Sequence, residues 1–538
     1  MTDDLTDTDG RPRVAGKYFE VAGRRFEPRG VTYGTFAPGT HAHPFPEMEQ
    51  VWRDLESIAA AGFNCIRTYT VPPLWLLDAA ESTGLRVLAG IPWEQHVVVL
   101  EEPGHAARVR ASVAEQVSHC SGHPALFAVS IGNEIPTDIV RWSGRERMEG
   151  FLERLYEAAK EADPGGLTTY VNYPSTEYLR LPFLDFHAFN VYLESTPDLS
   201  GYVARLHNQV GDLPLVMAEL GLDASHHGED RQAYVLQDQT RAVMQAGCAG
   251  LFVFSWTDEW FRGGRPVTGW SFGLTTEGRE PKPALEAVRG SLARHPDPPA
   301  GGWPTATVVV CAYQAASTIT ECLEGLARLD YPDFEVLLID DGSTDGTAGL
   351  AEAVVARLAE SGGPELPLRI IRTANRGLSR ARNLGMDEAR GEIVAFLDSD
   401  AWPDEQWLRQ LAYTFASEEH ACVGGPNISP PRRGHVAACV GMAPGGPVHV
   451  LETDRLAEHV PGCNMAFRTE ALRAVGGFDP QFRVAGDDVD LCWRVQSRGW
   501  TVGFSAGAMV WHHPRGSVGA YWRQQVGYGE AEALLEAK

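Results

Sequence analysis

Short apolar runs alternate with amphipathic stretches from residue 14 to residue 292. The stretch 46–61 shows the helical pattern, because Met48, Val51, Leu55 and Ile58 recur every three or four residues. The apolar runs are hydrophobic on both faces, as parallel strands covered by helices are. Eight of them are predicted strands, at 29–34, 63–70, 86–93, 126–134, 168–172, 186–193, 215–221 and 250–256. Eight strand–helix repeats in this length predict a TIM (β/α)8 barrel.

A break follows the barrel pattern, because residues 293–304 carry proline and glycine at a density that stops both helix and strand. We interpret it as a linker. The alternation then restarts, with predicted strands at 307–312, 334–340, 366–372 and 392–397 and predicted helices at 318–328 and 378–388. This order predicts a second domain over 305–538, a Rossmann-like open sheet that binds ligands at the carboxyl ends of its strands. The fold class is α/β throughout.

The two ends of the chain differ from these domains. Residues 1–13 are polar and acidic, and we expect a disordered leader there. Residues 529–538 have a helical pattern with no evident closing element, which leaves open whether the sequence is trimmed at its C-terminus.

The composition excludes several classes of protein. Hydrophobic residues at 44% and charged residues at 22% are typical of a globular chain, and 538 residues suffice for two or more domains. The formal net charge of −25 argues against a nucleic acid partner, although a metal ion between carboxylates still allows a nucleotide to bind.

Nine scattered cysteines without C-x-x-C spacing favour reduced thiols. The sequence shows no secretory signal and no apolar run long enough to cross a bilayer. These features predict a cytoplasmic protein. Peripheral contact with the inner face of the membrane stays open, and so does the oligomeric state.

Two glutamates end predicted strands of the barrel. Glu134 follows Asn133 at the end of the fourth strand, and Glu219 lies at the end of the seventh. Residues at the carboxyl ends of barrel strands face the active site, and glycoside hydrolysis needs two carboxyl groups flanking the bond. An Asn-Glu pair is common by itself, so its weight comes from the polar residues at the other strand ends.

Over about residues 15–290 the chain resembles the clan A retaining glycoside hydrolases, on the basis of Asn133-Glu134 and Glu219. The resemblance implies that Glu134 is the acid/base, that Glu219 is the nucleophile and that Asn133 holds the sugar 2-hydroxyl. Arg67 would keep Glu219 ionised by charge and hydrogen bonding, and Tyr192 would donate a hydrogen bond to it. The other candidate substrate contacts are Trp93, Glu94, His96, His187 and, as the sugar platform, Trp256.

Acidic motifs mark the strand ends of the second domain. Asp340 and Asp341 open the motif at 340–347, where carboxylates can accept hydrogen bonds from a base or ribose. Asp398 and Asp400 flank a serine after the fourth strand, and a hard divalent cation prefers such oxygen ligands. Between these motifs lie two arginines whose guanidinium groups suit diphosphate oxygens, Arg376 and Arg380.

Over about residues 305–530 these motifs, in this order and spacing, resemble the family 2 glycosyltransferases of the GT-A fold. The resemblance implies a nucleotide contact at Asp341, with Asp340 and Asp398 beside the nucleotide. It also implies that Asp400 binds Mg²⁺ or Mn²⁺, which would act as the Lewis acid for the departing nucleotide. The donor would be a UDP- or GDP-sugar.

Further residues extend this resemblance toward the acceptor. Asp488 would be the general base that deprotonates the acceptor hydroxyl, so that direct attack inverts the anomeric carbon. Asp487 stands where relatives more often have Glu, and Asn464 falls in the expected acceptor loop. His512 or His513 occupies the place of a metal-binding histidine.

The sequence therefore predicts a bifunctional carbohydrate enzyme. An inverting, metal-dependent glycosyltransferase is fused to a retaining β-glycosidase or transglycosidase, and together they synthesise and remodel a glycan. Two alternatives stay open: a barrel that is a non-catalytic glycan-binding platform, and a transferase domain that is a degenerate scaffold. The expected partners are a nucleotide-sugar donor and a glycan acceptor, and the sequence does not select the sugar, the base or the linkage.

Overall fold

The computed structural model describes residues 10–38, 43–292, 296–362, 365–430, 434–443 and 445–538. The chain divides into two compact units, Met1–His295 and Pro296–Lys538. Residues 1–9 of the predicted leader and residues 293–295 of the predicted linker lie outside the described residues.

A small antiparallel sheet precedes the barrel, formed by β1 (Arg13–Ala15), β2 (Tyr18–Val21) and β3 (Arg24–Phe26). Arg13, which the sequence assigned to the leader, already pairs with Glu20. Phe19 packs edge-on against Phe127 and Phe186, at centroid distances of 5.0 and 5.1 Å. Since these two residues lie where barrel strands begin, the small sheet covers the amino-terminal end of the barrel.

The first unit contains a closed barrel of eight parallel strands, as the alternating pattern predicted. The strands are β4 (Arg29–Thr32), β5 (Cys65–Thr68), β6 (Arg86–Gly90), β7 (Leu126–Asn133), β8 (Leu167–Asn172), β9 (His187–Asn190), β10 (Leu215–Leu220) and β11 (Gly250–Val253). They follow one another around the barrel in chain order, and β11 closes it against β4. All eight carboxyl ends therefore meet at one rim.

Helices cover the barrel strands. On the first of them, Val51, Leu55 and Ile58 are fully buried, whereas Met48 is half exposed at the helix start. The helices are α1 (Met48–Ala60), α2 (Leu74–Ser82), α3 (His105–Cys120), α4 (Thr137–Ser143), α5 (Arg145–Ala162), α6 (Thr196–Val210), α7 (Ala224–His227), α8 (Glu229–Gln245) and α9 (Pro283–Ser291). A short hairpin, β12 (Phe261–Arg262) and β13 (Arg265–Pro266), follows β11.

The second unit is built on a mixed sheet of seven strands, in the order β16-β15-β14-β17-β23-β19-β24. Its strands, with those of two smaller sheets, are β14 (Ala306–Ala312), β15 (Phe334–Asp340), β16 (Leu368–Arg372), β17 (Ile393–Asp398), β18 (Ala401–Pro403), β19 (His420–Gly424), β20 (Asn427–Ile428), β21 (Val450–Leu451), β22 (Ala457–His459), β23 (Asn464–Arg468), β24 (Thr501–Phe504) and β25 (Val510–His512). β14 to β17 are parallel, while β23 runs antiparallel between β17 and β19.

Both faces of this sheet are buried, which explains the continuous apolar runs. Val308 and Val310 of β14 pack into one core, and Val309 packs into the core on the other face. The helices are α10 (Ile319–Ala327), α11 (Thr347–Glu360), α12 (Leu378–Glu388), α13 (Trp407–Ser417), α14 (His435–Gly441), α15 (Thr469–Ala474), α16 (Asp487–Gln496) and α17 (Val518–Glu536). Among the described residues, no helix combines the length and the apolar character needed to cross a membrane.

Candidate active sites in the two units

The two predicted carboxylates of the barrel lie at its carboxyl-terminal rim. Glu134 directly follows β7, and Glu219 is the fifth residue of β10. The backbone of Glu134 has a φ of 50°, in the left-handed region that a non-glycine residue adopts at a cost of about 1–3 kcal/mol. Its amide donates to the carbonyl of Val171 at 2.9 Å, which holds this turn in place.

Glu219 is held by a set of hydrogen-bond donors. Arg67 of β5 donates from Nη1 to Oε1 at 2.7 Å, and Tyr69 donates to the same oxygen at 2.6 Å. Tyr192 donates to Oε2 at 2.5 Å. Arg67 and Glu219 are 2% and 5% exposed, so this charge pair lies almost entirely out of water. Both oxygens of the carboxyl group therefore accept hydrogen bonds from side chains at the rim.

One amide group joins the two glutamates. Nδ2 of Asn190, the last residue of β9, lies 2.8 Å from Oε1 of Glu134 and 2.8 Å from Oε1 of Glu219. The Oε1 atoms of the two glutamates are therefore at most 5.6 Å apart, which is the sum of the two 2.8 Å distances. The same nitrogen lies 3.2 Å from Oδ1 of Asn133, which also accepts from Nη2 of Arg67 at 2.7 Å.

The two carboxyl groups differ in their surroundings. Burial, and then the nearby charge of Glu219, raise the pKa of Glu134, and they outweigh the opposing effects of Asn190 and Arg67. Glu134 is thus biased toward the protonated form, next to a carboxylate that Arg67 and two tyrosines hold. Such a pair suits a proton donor beside a nucleophile.

Three of the predicted sugar contacts of the barrel differ from the expectation in position or in exposure. His187 is the first residue of β9, so it lies at the opposite end of the barrel, where burial and the charge of Lys17 lower its pKa to about 4. Trp93 is half-buried against Phe151 and donates its indole N–H to Ile131. Trp256 is only 2% exposed, so its face is not open to a sugar. Glu94 and His96 are exposed.

Other aromatic rings lie next to Glu219 instead. Tyr192 and Trp270 are 41% and 39% exposed. Both rings lie within 6.1 Å of Phe272, and Trp260 lies 6.2 Å from Trp270. Trp260 also meets the ring of Tyr69 at 5.8 Å. Trp260, Trp270 and Phe272 of this cluster follow β11 in the chain, as the predicted platform did, whereas Tyr192 follows β9.

In the second unit, Asp398, Asp400 and His512 converge. One ligand atom from each lies within 4.8 Å of the others. The pairing of β18 with β25 places Ala401 opposite His512 and so aligns the histidine with the motif. His513 points to a different partner, with Nε2 2.6 Å from the carboxylate of Glu321. Of the two histidines that the sequence left as alternatives, His512 therefore lies in the acidic cluster and His513 pairs with Glu321.

A buried arginine connects two of the acidic motifs. Arg382 of α12 donates to Asp487 at 2.8 Å and to Asp398 at 3.0 Å. Burial raises the pKa of Asp487 to about 6, and the adjacent charge of Asp488 adds to the effect. A Cβ on Gly462 would lie 2.5 Å from the guanidinium, so any larger residue here would force Arg382 to shift.

Asp488 is the second residue of α16 and lines a cavity. Its Oδ2 accepts from the amide of Gly462 at 2.9 Å, and its Oδ1 accepts from the amide of Val489 at 3.0 Å. The cavity has a volume of about 560 Å³, within the range of ligand sites. Asp398, Asp488, His512 and Arg515 all line it.

The predicted nucleotide residues lie at the ends of β15 and β16. Asp341 accepts from the amides of Arg376 and Gly377, both at 2.9 Å, and thereby holds the loop after β16. Asp340 accepts from the amide of Ser343 at 2.9 Å. Arg376 and Arg380 are exposed, and with Asp341 they line a pocket of about 240 Å³.

Asn464 does not face the acceptor cavity. Its side chain is fully buried and donates to the carbonyls of Pro426 and Ala508, while its oxygen accepts from the indole of Trp407 at 2.7 Å. Its amide group is therefore occupied in joining three segments of the fold. We correct the predicted acceptor contact at this position to a structural role.

Several residues of both sites were missed by the sequence reasoning. Tyr69 and Asn190 follow or end barrel strands, so the strand-end rule that selected Arg67 could have found them. Arg382 lies in the arginine-rich segment after β16, but nothing in the sequence shows which of its arginines faces inward. Arg515 lies three residues after His512, in a segment without a motif of its own.

Comparisons with known proteins agree with this division. Residues 307–476 match the family model described as Glycosyl transferase family 2. The chain is 28% identical over 237 residues to Glycosyltransferase AglE of Haloferax volcanii, covering 43% of this chain and 75% of that protein. It is 27% identical over 281 residues to the Pre-mycofactocin glycosyltransferase of Mycobacterium tuberculosis, covering 49% of this chain and 56% of that one.

Among solved structures, the chain is similar to a GH2 beta-galacturonidase from Eisenbergiella tayi bound to galacturonate, with 22% identity and a TM-score of 0.45. The match covers 52% of this chain and 53% of that one, so it spans about half of each. By its sequence, the segment 307–476 is a glycosyl transferase family 2 domain, and it follows a closed eight-stranded parallel barrel in the same chain.

Proposed function

We propose that the second unit is an inverting, metal-dependent glycosyltransferase with a nucleotide-sugar donor, and that the barrel is a retaining β-glycosidase or transglycosidase. We further propose that both act on one glycan, one extending it and the other trimming or rearranging it. The fusion of the two units motivates this last step. Each half is supported by one arrangement of side chains.

For the transferase, the convergence of Asp398, Asp400 and His512 beside Asp488 carries the proposal. Two carboxylates and an imidazole within 4.8 Å of one another fit a divalent cation after small side-chain adjustments, because Mg²⁺ and Mn²⁺ bind such ligands at about 2.0–2.2 Å. The bound cation would stabilise the negative charge of the departing diphosphate.

The remaining steps belong to the chain. Two backbone amides orient Asp488, so that one of its oxygens can take the proton from an acceptor hydroxyl in the cavity. Direct attack by that hydroxyl inverts the anomeric carbon. Arg376 and Arg380 are free to meet the diphosphate. Tyr313, 56% exposed after β14, offers a ring on which a base can stack.

The transferase proposal is tested by calorimetry with the intact chain. We expect Mn²⁺-dependent binding of UDP or GDP, and we expect Asp400→Ala to lose it. Glu365→Ala, a carboxylate outside this cluster, is the matched control. A donor screen with metal, followed by linkage analysis, would then identify sugar and bond. Absence of any nucleotide binding in the wild type would favour the degenerate scaffold.

For the barrel, the Asn190 bridge carries the proposal. Retaining glycosidases keep their carboxyl groups about 5–5.5 Å apart, whereas inverting ones need about 6.5–9.5 Å to admit a water molecule. The limit of 5.6 Å between the bridged oxygens supports retention. Glu219 would attack the anomeric carbon while Glu134 protonates the leaving oxygen, and Glu134 would then deprotonate the incoming water or sugar.

Trapping of the covalent intermediate tests this assignment. A 2-fluoro β-glycoside with an activated leaving group should add one glycosyl unit to the chain, and peptide mapping should place it on Glu219. Glu219→Gln should stay unlabelled, while Glu194→Gln, at an exposed glutamate of the same unit, should label normally. If no β-glycoside labels or is cleaved, the barrel is better explained as a glycan-binding platform.

A further inference from the structure

Both carboxylates of the candidate metal site already hold a cationic side chain. Asp400 contacts His512 through Oδ1 at 3.3 Å and accepts from Nη1 of Arg515 through Oδ2 at 2.9 Å. Asp398 accepts from Arg382 at 3.0 Å. Oδ1 of Asp398 and Oδ2 of Asp400 are therefore occupied by arginines, and a divalent cation that binds through either oxygen competes with an arginine for it.

The two arginines differ in how firmly they are held. The Arg382 side chain is 4% exposed, lies within α12 and bonds to two carboxylates. The Arg515 side chain is 42% exposed and lies in the short segment between β25 and α17. An ion pair that is as exposed to water as this one is weak, whereas a buried ion pair is costly to break. Of the two, Arg515 is the one that a cation can displace.

We infer that Arg515 is an exchangeable counterion, which holds Asp400 until a divalent cation displaces it and which then binds the diphosphate of the donor. This inference rests on the proposed transferase function. A metal ion bound to either oxygen of Asp400 repels a guanidinium on the same carboxylate. The released guanidinium still lines the 560 Å³ cavity, where its planar fork matches phosphate oxygens.

The inference predicts changes of opposite sign for two ligands. Without Arg515, no guanidinium competes with Mn²⁺ for Asp400, so Mn²⁺ binds more tightly. A nucleoside diphosphate loses a hydrogen-bond donor and binds more weakly. An arginine that only orders the loop after β25 would weaken both or neither. The sign of each change, and not its size alone, therefore separates the two roles.

The experiment uses the intact chain and two variants, Arg515→Gln and the control Arg523→Gln. Arg523 lines the same cavity from α17 and has the same charge. Binding of Mn²⁺ alone is measured first, from the free Mn²⁺ signal in electron paramagnetic resonance. Binding of UDP and GDP at saturating Mn²⁺ follows by calorimetry, and thermal unfolding confirms that each variant is folded.

We expect Arg515→Gln to bind Mn²⁺ about three- to tenfold tighter, the equivalent of a half-exposed ion pair, and to bind the nucleoside diphosphate at least about tenfold more weakly. Arg523→Gln should keep its Mn²⁺ affinity. Arg515→Lys keeps the positive charge but lacks the planar guanidinium. Its affinities for Mn²⁺ and for the nucleoside diphosphate should lie between those of Arg515→Gln and the wild type.

Equal or weaker Mn²⁺ binding by Arg515→Gln overturns the inference, and so does unchanged affinity for the nucleoside diphosphate. If neither wild type nor variant binds Mn²⁺, the inference and the metal dependence both fail. A wild type that binds UDP or GDP regardless of Mn²⁺ keeps the nucleotide-sugar donor but removes the metal dependence and the role of Arg515.

Discussion

Replacing Arg67 by Met tests how the barrel keeps a carboxylate charged in its interior. Arg67 and Glu219 are 2% and 5% exposed, with Nη1 2.7 Å from Oε1. The variant removes the cation but leaves the buried carboxylate, and such a loss costs about 3–5 kcal/mol of unfolding free energy. The carbonyl of Ala218 and the side chain of Asn133 lose a donor as well, which places the expected cost in the upper part of that range.

Two further variants isolate the charge effect. In a Glu219→Gln background the buried charge is gone, so Arg67→Met should cost about 1–3 kcal/mol less than in the wild type. Arg110→Met removes an arginine whose ion pair with Glu161, at 3.2 Å, is largely exposed. That control should cost about 1 kcal/mol or less.

Hydrogen exchange followed by mass spectrometry gives the stability of each unit separately. Peptides from β5 and β10 report the barrel, and peptides from β14 and β15 serve as the internal reference. A cost of 3–5 kcal/mol corresponds to barrel exchange faster by about two to three and a half orders of magnitude. A cost below about 1 kcal/mol, or the same cost with and without the charge of Glu219, would refute the reasoning.

Three more predictions concern titration and the corrected residue. The kcat/KM of the barrel for a β-glycoside should fall as pH rises through the raised pKa of Glu134, and Glu134→Ala should lose this alkaline limb when measured with an activated aryl glycoside. In the folded chain Asp487, with a pKa of about 6, holds its proton more tightly than in the unfolded chain. The melting temperature of the second unit should therefore decrease as the pH rises from about 4 to about 6, and Asp487→Asn should show a smaller decrease. Asn464→Ala leaves three buried hydrogen-bonding groups without a partner and should lower the free energy of unfolding by at least about 2 kcal/mol, measured by thermal unfolding. The KM for acceptor should not rise specifically, and a selective rise in that KM would restore the predicted acceptor role of Asn464.

The barrel could be predicted from the sequence because its strands are buried on both faces. That burial forces continuous apolar runs, and eight of them separated by helical patterns leave few other folds. In the second unit the same logic found β14 to β17. It did not find β19, β23 and β24, whose pairing joins distant parts of the chain.

The positions of Glu134, Glu219 and Arg67 at the rim were predictable because strand position alone decides them. Strand position failed for His187, because a residue at the start of a strand lies at the other end of the barrel. Trp256, which follows a strand, and Asn464, which begins one, are both buried, because an aromatic or polar residue near a strand end can turn inward and become part of the core. Only the packed structure decides that direction.

The account's central claim is that the two units act on one glycan. It is tested most directly by mass-spectrometric product profiles from the intact chain, supplied with Mn²⁺, the donor found by the screen and its acceptor. We predict that Asp400→Ala forms no product, and that Glu219→Gln forms product with an altered length or linkage distribution. A Glu219→Gln profile identical to that of the wild type would contradict the claim.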